Sequence, residues 1–424
     1  MRVAAAALAG ALSLPLVPPA AGAEAGLPCS GFDETTEPPL KAAPERSVPY
    51  DLLGIDRATE ILAERGKEPG AGWNVAVVDS GVSTNPGLAS LSVVGEQSFG
   101  VSGPIVFEHG TNLAGLVAAG ERAEGGPTGI APAAGIYDLR VYKEAEDPAS
   151  GGVPLDNVLE ALDWLTTNAE DEKIGVVVMA LSLPASTALE KAVAALSRRD
   201  VVIVVGSGNR PTEEFQDGYA EFGEKAPGED AAGEVFPAAY ADDVFAVSAT
   251  ATGQPVEGGG VADASETVLL SSDIDAAVPT WGAVTLATNG SACLIDEVVT
   301  SWAAGIAGGV VALLRSAYPN ENATQIEARL IATASGSAEM VNTSTGHGVL
   351  QPVEALTREL APTKRGDVDD MPRADTSQPS VKAPVAETDP LIATLVDARW
   401  WGLFAGTGLV VALLARPLLR RRPS

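Results

Sequence analysis

The chain has 424 residues, 46% of them hydrophobic and 5% aromatic, and a formal net charge of −29. So acidic a chain excludes nucleic acid as a partner, because a polyanion would be repelled and no basic stripe exists to release its counterions. Length alone suggests several domains, yet the pattern of apolar segments runs unbroken through the middle of the chain.

The N-terminus reads as a signal peptide, residues 1–23: Arg2, an apolar stretch from 3 to 17, then the small residues Ala21-Gly22-Ala23. Residues 24–46 form a polar, Pro-containing extension, too short for a folded inhibitory prodomain. From 47 to 360 apolar runs alternate with helical patterns, the signature of βαβ units. The predicted strands are 74–78, 135–142, 175–181, 201–205 and 244–249, mostly continuous apolar runs, as parallel strands covered on both faces are. The predicted helices are 51–64, 110–119, 156–168, 185–199, 302–317 and 324–334. Residues 361–397 lose all apolar period and carry Pro362, Pro372, Pro379, Pro384 and Pro390, which describes a semi-extended linker. Residues 398–419 read as one transmembrane helix. Residues 400–419 are apolar apart from Arg416, and about 20 helical residues at about 1.5 Å each span about 30 Å. The basic tail 420–424 would stay in the cytoplasm, leaving the 47–360 domain outside a single-pass cell-membrane anchor.

Two cysteines, Cys29 and Cys293, occur in a chain read as exported. An even count in an oxidising compartment favours one disulfide, tying the extension to the loop before Ser301; two free thiols or an intermolecular bridge are the alternatives.

Peptide hydrolysis by a serine needs a nucleophile, an imidazole, an orienting carboxylate and donors for the oxyanion. Asp79 follows Val75-Ala76-Val77-Val78, so its carboxylate would stand at the carboxyl end of a buried strand. His109, one of only two histidines, opens a helix at His109-Gly110-Thr111. Ser301 starts an apolar helix, where the dipole and free N–H groups favour negative charge. Asn209, in Gly206-Ser207-Gly208-Asn209 after a strand, could aim its amide at a developing oxyanion. The other histidine, His347 in Gly346-His347-Gly348, reads as structural or surface.

These motifs, in the chain order Asp, His, Ser, resemble a subtilisin-type serine protease. So do Gly129-Ile130-Ala131-Pro132, Asp163-Trp164, Ser182-Leu183 and Phe236-Pro237-Ala238, and the resemblance covers roughly 47 to 358. It implies an α/β, three-layer subtilisin-like fold with a mostly parallel central sheet, with Asp79, His109 and Ser301 as catalytic residues and Asn209 in the oxyanion hole. Ser182, Leu183 and Pro184 would line the substrate, Phe236-Pro237 would hold a cis bond beside the pocket, and no cofactor or metal is expected. Within that family the chain is similar to the mycosins, the membrane-anchored proteases of type VII secretion systems, through its signal peptide, short cysteine-bearing extension, Val75 to Val82 motif, Pro-rich linker and single C-terminal helix. The resemblance implies a narrowly specific endopeptidase acting on a protein or peptide substrate, in company with the membrane complex of the secretion system.

Three departures from the family pattern bear on activity. Val299 precedes Thr300-Ser301 where the family has Gly, and is expected to crowd or strain the approach. Pro184 lacks an N–H for substrate pairing, and Gly305 stands in place of a helix-start proline. Val299 and Pro184 leave open a weakly active or silent scaffold of the secretion complex, and a general degradative protease tethered at the surface is a further alternative.

Overall fold

Val75 and Val77 of β1 (Asn74–Asp79) enter one apolar core and Ala76 and Val78 the other, which is how a strand in the middle of a covered sheet must be built. The computed structural model describes residues 28–29, 46–121, 129–144, 152–211, 220–256, 260, 262–336, 341–368 and 390–419. The predicted signal peptide, nearly all of the extension, residues 369–389 of the linker and the tail 420–424 lie outside the described residues. The chain divides into two units, Met1–Asp369 and Asp370–Ser424.

In the first unit β1 is joined by β2 (Val93–Ser98), β3 (Gly135–Arg140), β4 (Ile174–Met179), β5 (Val202–Gly206), β6 (Phe245–Thr250) and β7 (Ala276–Pro279). They form a seven-stranded sheet in the order β2-β3-β1-β4-β5-β6-β7, parallel at every pairing. One face is covered by α3 (His109–Ala118) and α6 (Thr300–Ala317), the other by α4 (Leu155–Asn168) and α5 (Thr187–Ser197). This is the three-layer arrangement expected. The predicted helix 51–64 is two helices, α1 (Val48–Leu52) and α2 (Ile55–Glu64), because Gly54 turns the chain at φ +65°.

Four strands escape the sequence reading. β2 is an edge strand exposed along most of its length, so it carries no apolar run. β7 is four residues long and ends in Pro279, tolerated at the opposite edge of the sheet. β8 (Ala283–Leu286) and β9 (Ala292–Ile295) make a separate antiparallel pair. Cys293 therefore belongs to a strand rather than a loop, and it is bonded to Cys29 beside the bridge between Pro28 and Leu294.

α6 is buried at every residue except Ser301. Gly305 lies in its second turn, where a Cβ would come within 3.0 Å of Leu113 and 3.1 Å of Leu116. The glycine allows close packing of α6 on α3, and it is the sixth residue of the helix rather than its first. Lys67 donates to the carbonyls of Ser316 and Ala317, at 3.0 and 2.7 Å, placing a cation at the negative end of the helix. α7 (Ala323–Thr333) begins with a capping box between Asn322 and Gln325, and α8 (Pro352–Thr357) follows.

The second unit contains α9 (Pro390–Leu419), a helix of 30 residues. Trp400, Trp401, Leu403, Phe404, Leu409, Val410, Val411, Leu413 and Leu414 are exposed on it. Among the described residues no helix is long and apolar enough to cross a membrane; the side chains of residues 390–399, 402, 415 and 417–419 lie outside the description.

Candidate active site

Alternation along β1 puts Asp79 on the same face as Val75 and Val77, beneath α3 and α6. Its carboxylate is fully buried, and Nδ1 of His109 lies 2.9 Å from each of its oxygens. A carboxylate only accepts, so Nδ1 carries the proton and Nε2 of the neutral ring keeps its lone pair. Burial works against the imidazolium, but Asp79, with Glu108 and Glu297 behind it, outweighs burial and holds the His109 pKa above its ordinary value.

Glycine lets the two loops meet. Gly81 adopts φ +105° just after Asp79, and a Cβ there would strike Ile105 and Arg140. Gly110, next to His109, lies so close to the Gly81 carbonyl that a Cβ would come within 2.6 Å of its oxygen. Ser80 ties them further, its hydroxyl accepting from the Gly110 N–H at 3.0 Å and donating to the Phe107 carbonyl at 3.1 Å.

The His109 ring touches two aromatic side chains. Phe107 stacks on it at 5.8 Å between centroids, with the planes 4° apart, and Trp302 leans against it at 4.9 Å. Trp302 is the residue after Ser301, so this contact brings the start of α6 to the imidazole. Ser301 is half-buried at the helix N-terminus. Val299, just before the helix, has φ −138° and ψ 153°. That is ordinary extended backbone, readily adopted by a β-branched residue, so the backbone strain expected from the sequence is absent.

Asn209 follows β5. Its Oδ1 accepts from the Thr300 N–H at 2.8 Å and from the Thr300 hydroxyl at 3.1 Å. With the oxygen so occupied, the amide NH₂ points elsewhere, and no described residue accepts from it. Neighbouring Arg210 grips Glu229 in a bidentate pair at 2.9 and 2.7 Å and so anchors the segment. Burial alone would raise the Glu229 pKa, but the Arg210 guanidinium and the Leu270 and Ala226 N–H groups hold it below its usual range.

The Ser182-Leu183-Pro184 segment follows β4, with Leu183 buried and Pro184 exposed. The Leu183 N–H donates to the Phe236 carbonyl at 2.9 Å, and the Phe236-Pro237 bond is cis, as expected. His347 is half-buried, its N–H donating to the Asp275 carbonyl at 2.8 Å, in keeping with a structural part. Sequence reading missed Tyr142, whose hydroxyl donates to Oδ1 of Asp79 at 2.9 Å. It also missed Phe107 and the part played by Thr300. Tyr142 and Phe107 stand in no motif, and Thr300, though it precedes Ser301 in one, meets Asn209 only through the fold. Among the described residues no group of three or more His, Cys, Asp or Glu side chains could hold a metal ion.

Residues 70–348 match the Subtilase family, peptidase S8. The chain belongs to that family. As a subtilase it is a serine peptidase, and within the family it is similar to mycosins. It is 30% identical to Mycosin-3 of Mycobacterium tuberculosis (strain ATCC 25618 / H37Rv) over 394 residues, which cover 84% of this chain and 81% of that protein. Among solved structures, the MycP3 protease from the type VII (ESX-3) secretion system matches with a TM-score of 0.55 at 25% identity, covering 78% of this chain and 91% of that one. A chain from the periplasmic assembly of the ESX-5 inner membrane complex matches with a TM-score of 0.55 at 26% identity, covering 87% and 92%.

Proposed function

We propose that this subtilase is a membrane-anchored, extracytoplasmic endopeptidase of narrow specificity that works within a type VII secretion complex. Asp79, His109 and Ser301 form its triad and Asn209 supplies an oxyanion donor. The observation that carries this is the His109 ring, its Nδ1 proton bound to buried Asp79 and its ring in contact with Trp302, the neighbour of Ser301.

The chemistry follows from that arrangement. Ser301 Oγ attacks the peptide carbonyl as its proton passes to Nε2 of His109. Asp79 keeps the imidazole in the required tautomer and stabilises the imidazolium that forms. The Asn209 NH₂ and the N-terminus of α6 stabilise the oxyanion. His109 then returns the proton to the leaving amine, and water, activated by the same imidazole, releases the acyl group.

Narrow specificity draws support from the substrate-lining segment. The Leu183 N–H is already bonded to Phe236 and Pro184 has none, so neither can donate to a substrate backbone. The silent-scaffold reading loses its strain argument at Val299, whose backbone is ordinary. Membrane anchoring is supported by α9 with its exposed aromatic and aliphatic side chains, and extracytoplasmic action by the similarity to the ESX-5 periplasmic assembly. In this reading residues 1–23 are the signal peptide, 24–46 the extension, 47–360 the peptidase domain, 361–397 the linker, 398–419 the membrane helix and 420–424 the tail.

Fluorophosphonate labelling of the full chain tests the proposal. Ser301 should be labelled and the Ser301→Ala variant should not; a folded wild-type protein that stays unlabelled would mean a silent scaffold. Digestion of casein would instead point to a general degradative protease.

A further inference from the structure

We propose that Tyr142 is a positioning residue for the triad: its hydroxyl locks the Asp79 carboxylate in the orientation that His109 needs and draws off part of its charge. The inference rests on the triad reading above.

An aspartate cannot hold such an orientation by itself, because rotation of its carboxylate about the Cβ–Cγ bond is soft and roughly two-fold. The donors around it must set the angle. Oδ1 of Asp79 accepts from the Ser80 N–H at 2.7 Å, from the Tyr142 hydroxyl at 2.9 Å and from His109 Nδ1 at 2.9 Å. The Ser80 donor is the neighbouring peptide and the His109 donor is the group to be oriented. Tyr142 is the outside reference.

Its position is fixed by the sheet. The register of β1 and β3 pairs Asp79 with Arg140, and the Val141 N–H donates to the Asp79 carbonyl at 2.9 Å. Tyr142, one residue further on, is buried, and its ring packs against Phe107 at 6.2 Å between centroids. Phe107 in turn stacks on His109. From the same strand end, Arg140 donates to the carbonyls of Gly103 and Pro104, at 2.7 and 2.9 Å, and so steadies the loop that carries Phe107. Burial and the nearby carboxylate push the Tyr142 pKa well above that of a free tyrosine, so the hydroxyl stays a donor throughout the working range.

The electrostatic consequence has a definite sign. A hydrogen bond to a carboxylate favours its charged form and spreads its charge, which weakens its pull on the proton of the neighbouring imidazole. Other charged groups face the pair: Glu108 and Glu297 toward His109, and Asp138 toward Asp79 with Arg140 and Glu96 beside it. None of them changes when the Tyr142 hydroxyl is removed. Tyr142→Phe should therefore raise the His109 pKa and lower kcat by about tenfold or more at high pH, the worth of a hydrogen bond to a charged group, with KM little changed.

The full chain, labelled with ¹⁵N at histidine, provides the test. It has two histidines, so His347→Gln assigns both imidazoles. The titration is read by NMR in a Ser301→Ala background, where it needs no hydrolysis. Tyr142→Phe should move the His109 titration to higher pH, and the acid limb of kcat/KM in the Ser301 protein should move with it. Incorporation of 3-fluorotyrosine at position 142, a stronger donor of nearly the same shape, should move both to lower pH and serves alone if the phenylalanine variant does not fold. An unmoved His109 titration in either folded variant, with only a lower Tm, would reduce Tyr142 to packing and overturn the inference. A displaced titration in a protein that hydrolyses nothing would instead uphold the clamp and count against the protease reading.

Discussion

Asn209 and Thr300 are bonded twice through one oxygen: Oδ1 of Asn209 accepts from the Thr300 N–H at 2.8 Å and from the Thr300 hydroxyl at 3.1 Å. The Thr300 hydroxyl also accepts from the Gly208 N–H at 3.3 Å, which closes the contact between the end of β5 and the start of α6. Because the oxygen is committed, the NH₂ of Asn209 is directed without any substrate present. Preorganisation of this kind lets a donor stabilise developing charge without reorganising during reaction.

Asn209→Ala should accordingly lower kcat while leaving KM nearly unchanged. The expected loss is on the order of 10²–10³, the size known for the corresponding donor of subtilisin, a relative in the same family. Steady-state kinetics on a peptide substrate would check it; an equal loss in KM would assign Asn209 to ground-state binding.

The acid limb of kcat/KM should lie above the ordinary histidine value of about 6.5. Burial disfavours the His109 imidazolium, but Asp79 prevails and raises the pKa. The general base must be neutral, so activity should fall as pH drops through that raised value. A limb at or below the ordinary value would show that burial, and not Asp79, decides the His109 titration in the free enzyme.

Asp138→Asn should stabilise the protein at alkaline pH. Asp138 is 6% exposed, and its Oδ1 is buried with no hydrogen-bond partner among the described residues. Burial, assisted by Glu96 and Asp79 and opposed by the Val82 N–H and Arg140, pushes its pKa up to about 7. A folded-state pKa above the unfolded value of about 3.9 means a contribution that is complete below pH ~4 and lost as pH rises through about 7. The variant should gain roughly 1–2 kcal/mol at pH 8 and little or nothing at pH ~4. Denaturant unfolding at the two pH values decides it, and equal effects at both would exclude the titration.

The Cys29–Cys293 bond should appear in a non-reduced digest as two joined peptides. Removing it with Cys29→Ser should cost on the order of 2–4 kcal/mol of stability. Fluorophosphonate labelling of Ser301 should persist at temperatures where the variant is folded. Alkylation of both cysteines without reductant would refute the pairing.

Val299→Gly should bring no gain in kcat/KM. The valine is half-buried against the core in extended backbone, so glycine relieves no strain and loosens the segment before α6. A lower Tm with equal or lower activity is expected. A tenfold rise would correspond to about 1.4 kcal/mol of transition-state stabilisation regained and would reinstate side-chain crowding at the approach to Ser301.

The central strands, the helices that cover them and the two motifs around Asp79 and His109 are legible in the chain alone. β1, β3, β4, β5 and β6 are buried on both faces, so an apolar run is the direct imprint of their environment. Asp79 could be located because a carboxylate ending such a run is conspicuous. β2 and β7 left no such imprint, being exposed or short at the two edges of the sheet.

What surrounds those residues depends on how the elements pack. Tyr142 reaches Asp79 from 63 positions away because the sheet order sets β3 beside β1 in a register that aligns Arg140 with Asp79. Thr300 reaches Asn209 from 91 positions away because α6 begins beside the end of β5. The backbone of Val299 likewise became known only once α6 and its preceding segment were packed. Local sequence specifies which face of an element is apolar, whereas the partner of a single polar atom depends on register, crossing and loop path. Those are settled by packing of the whole chain.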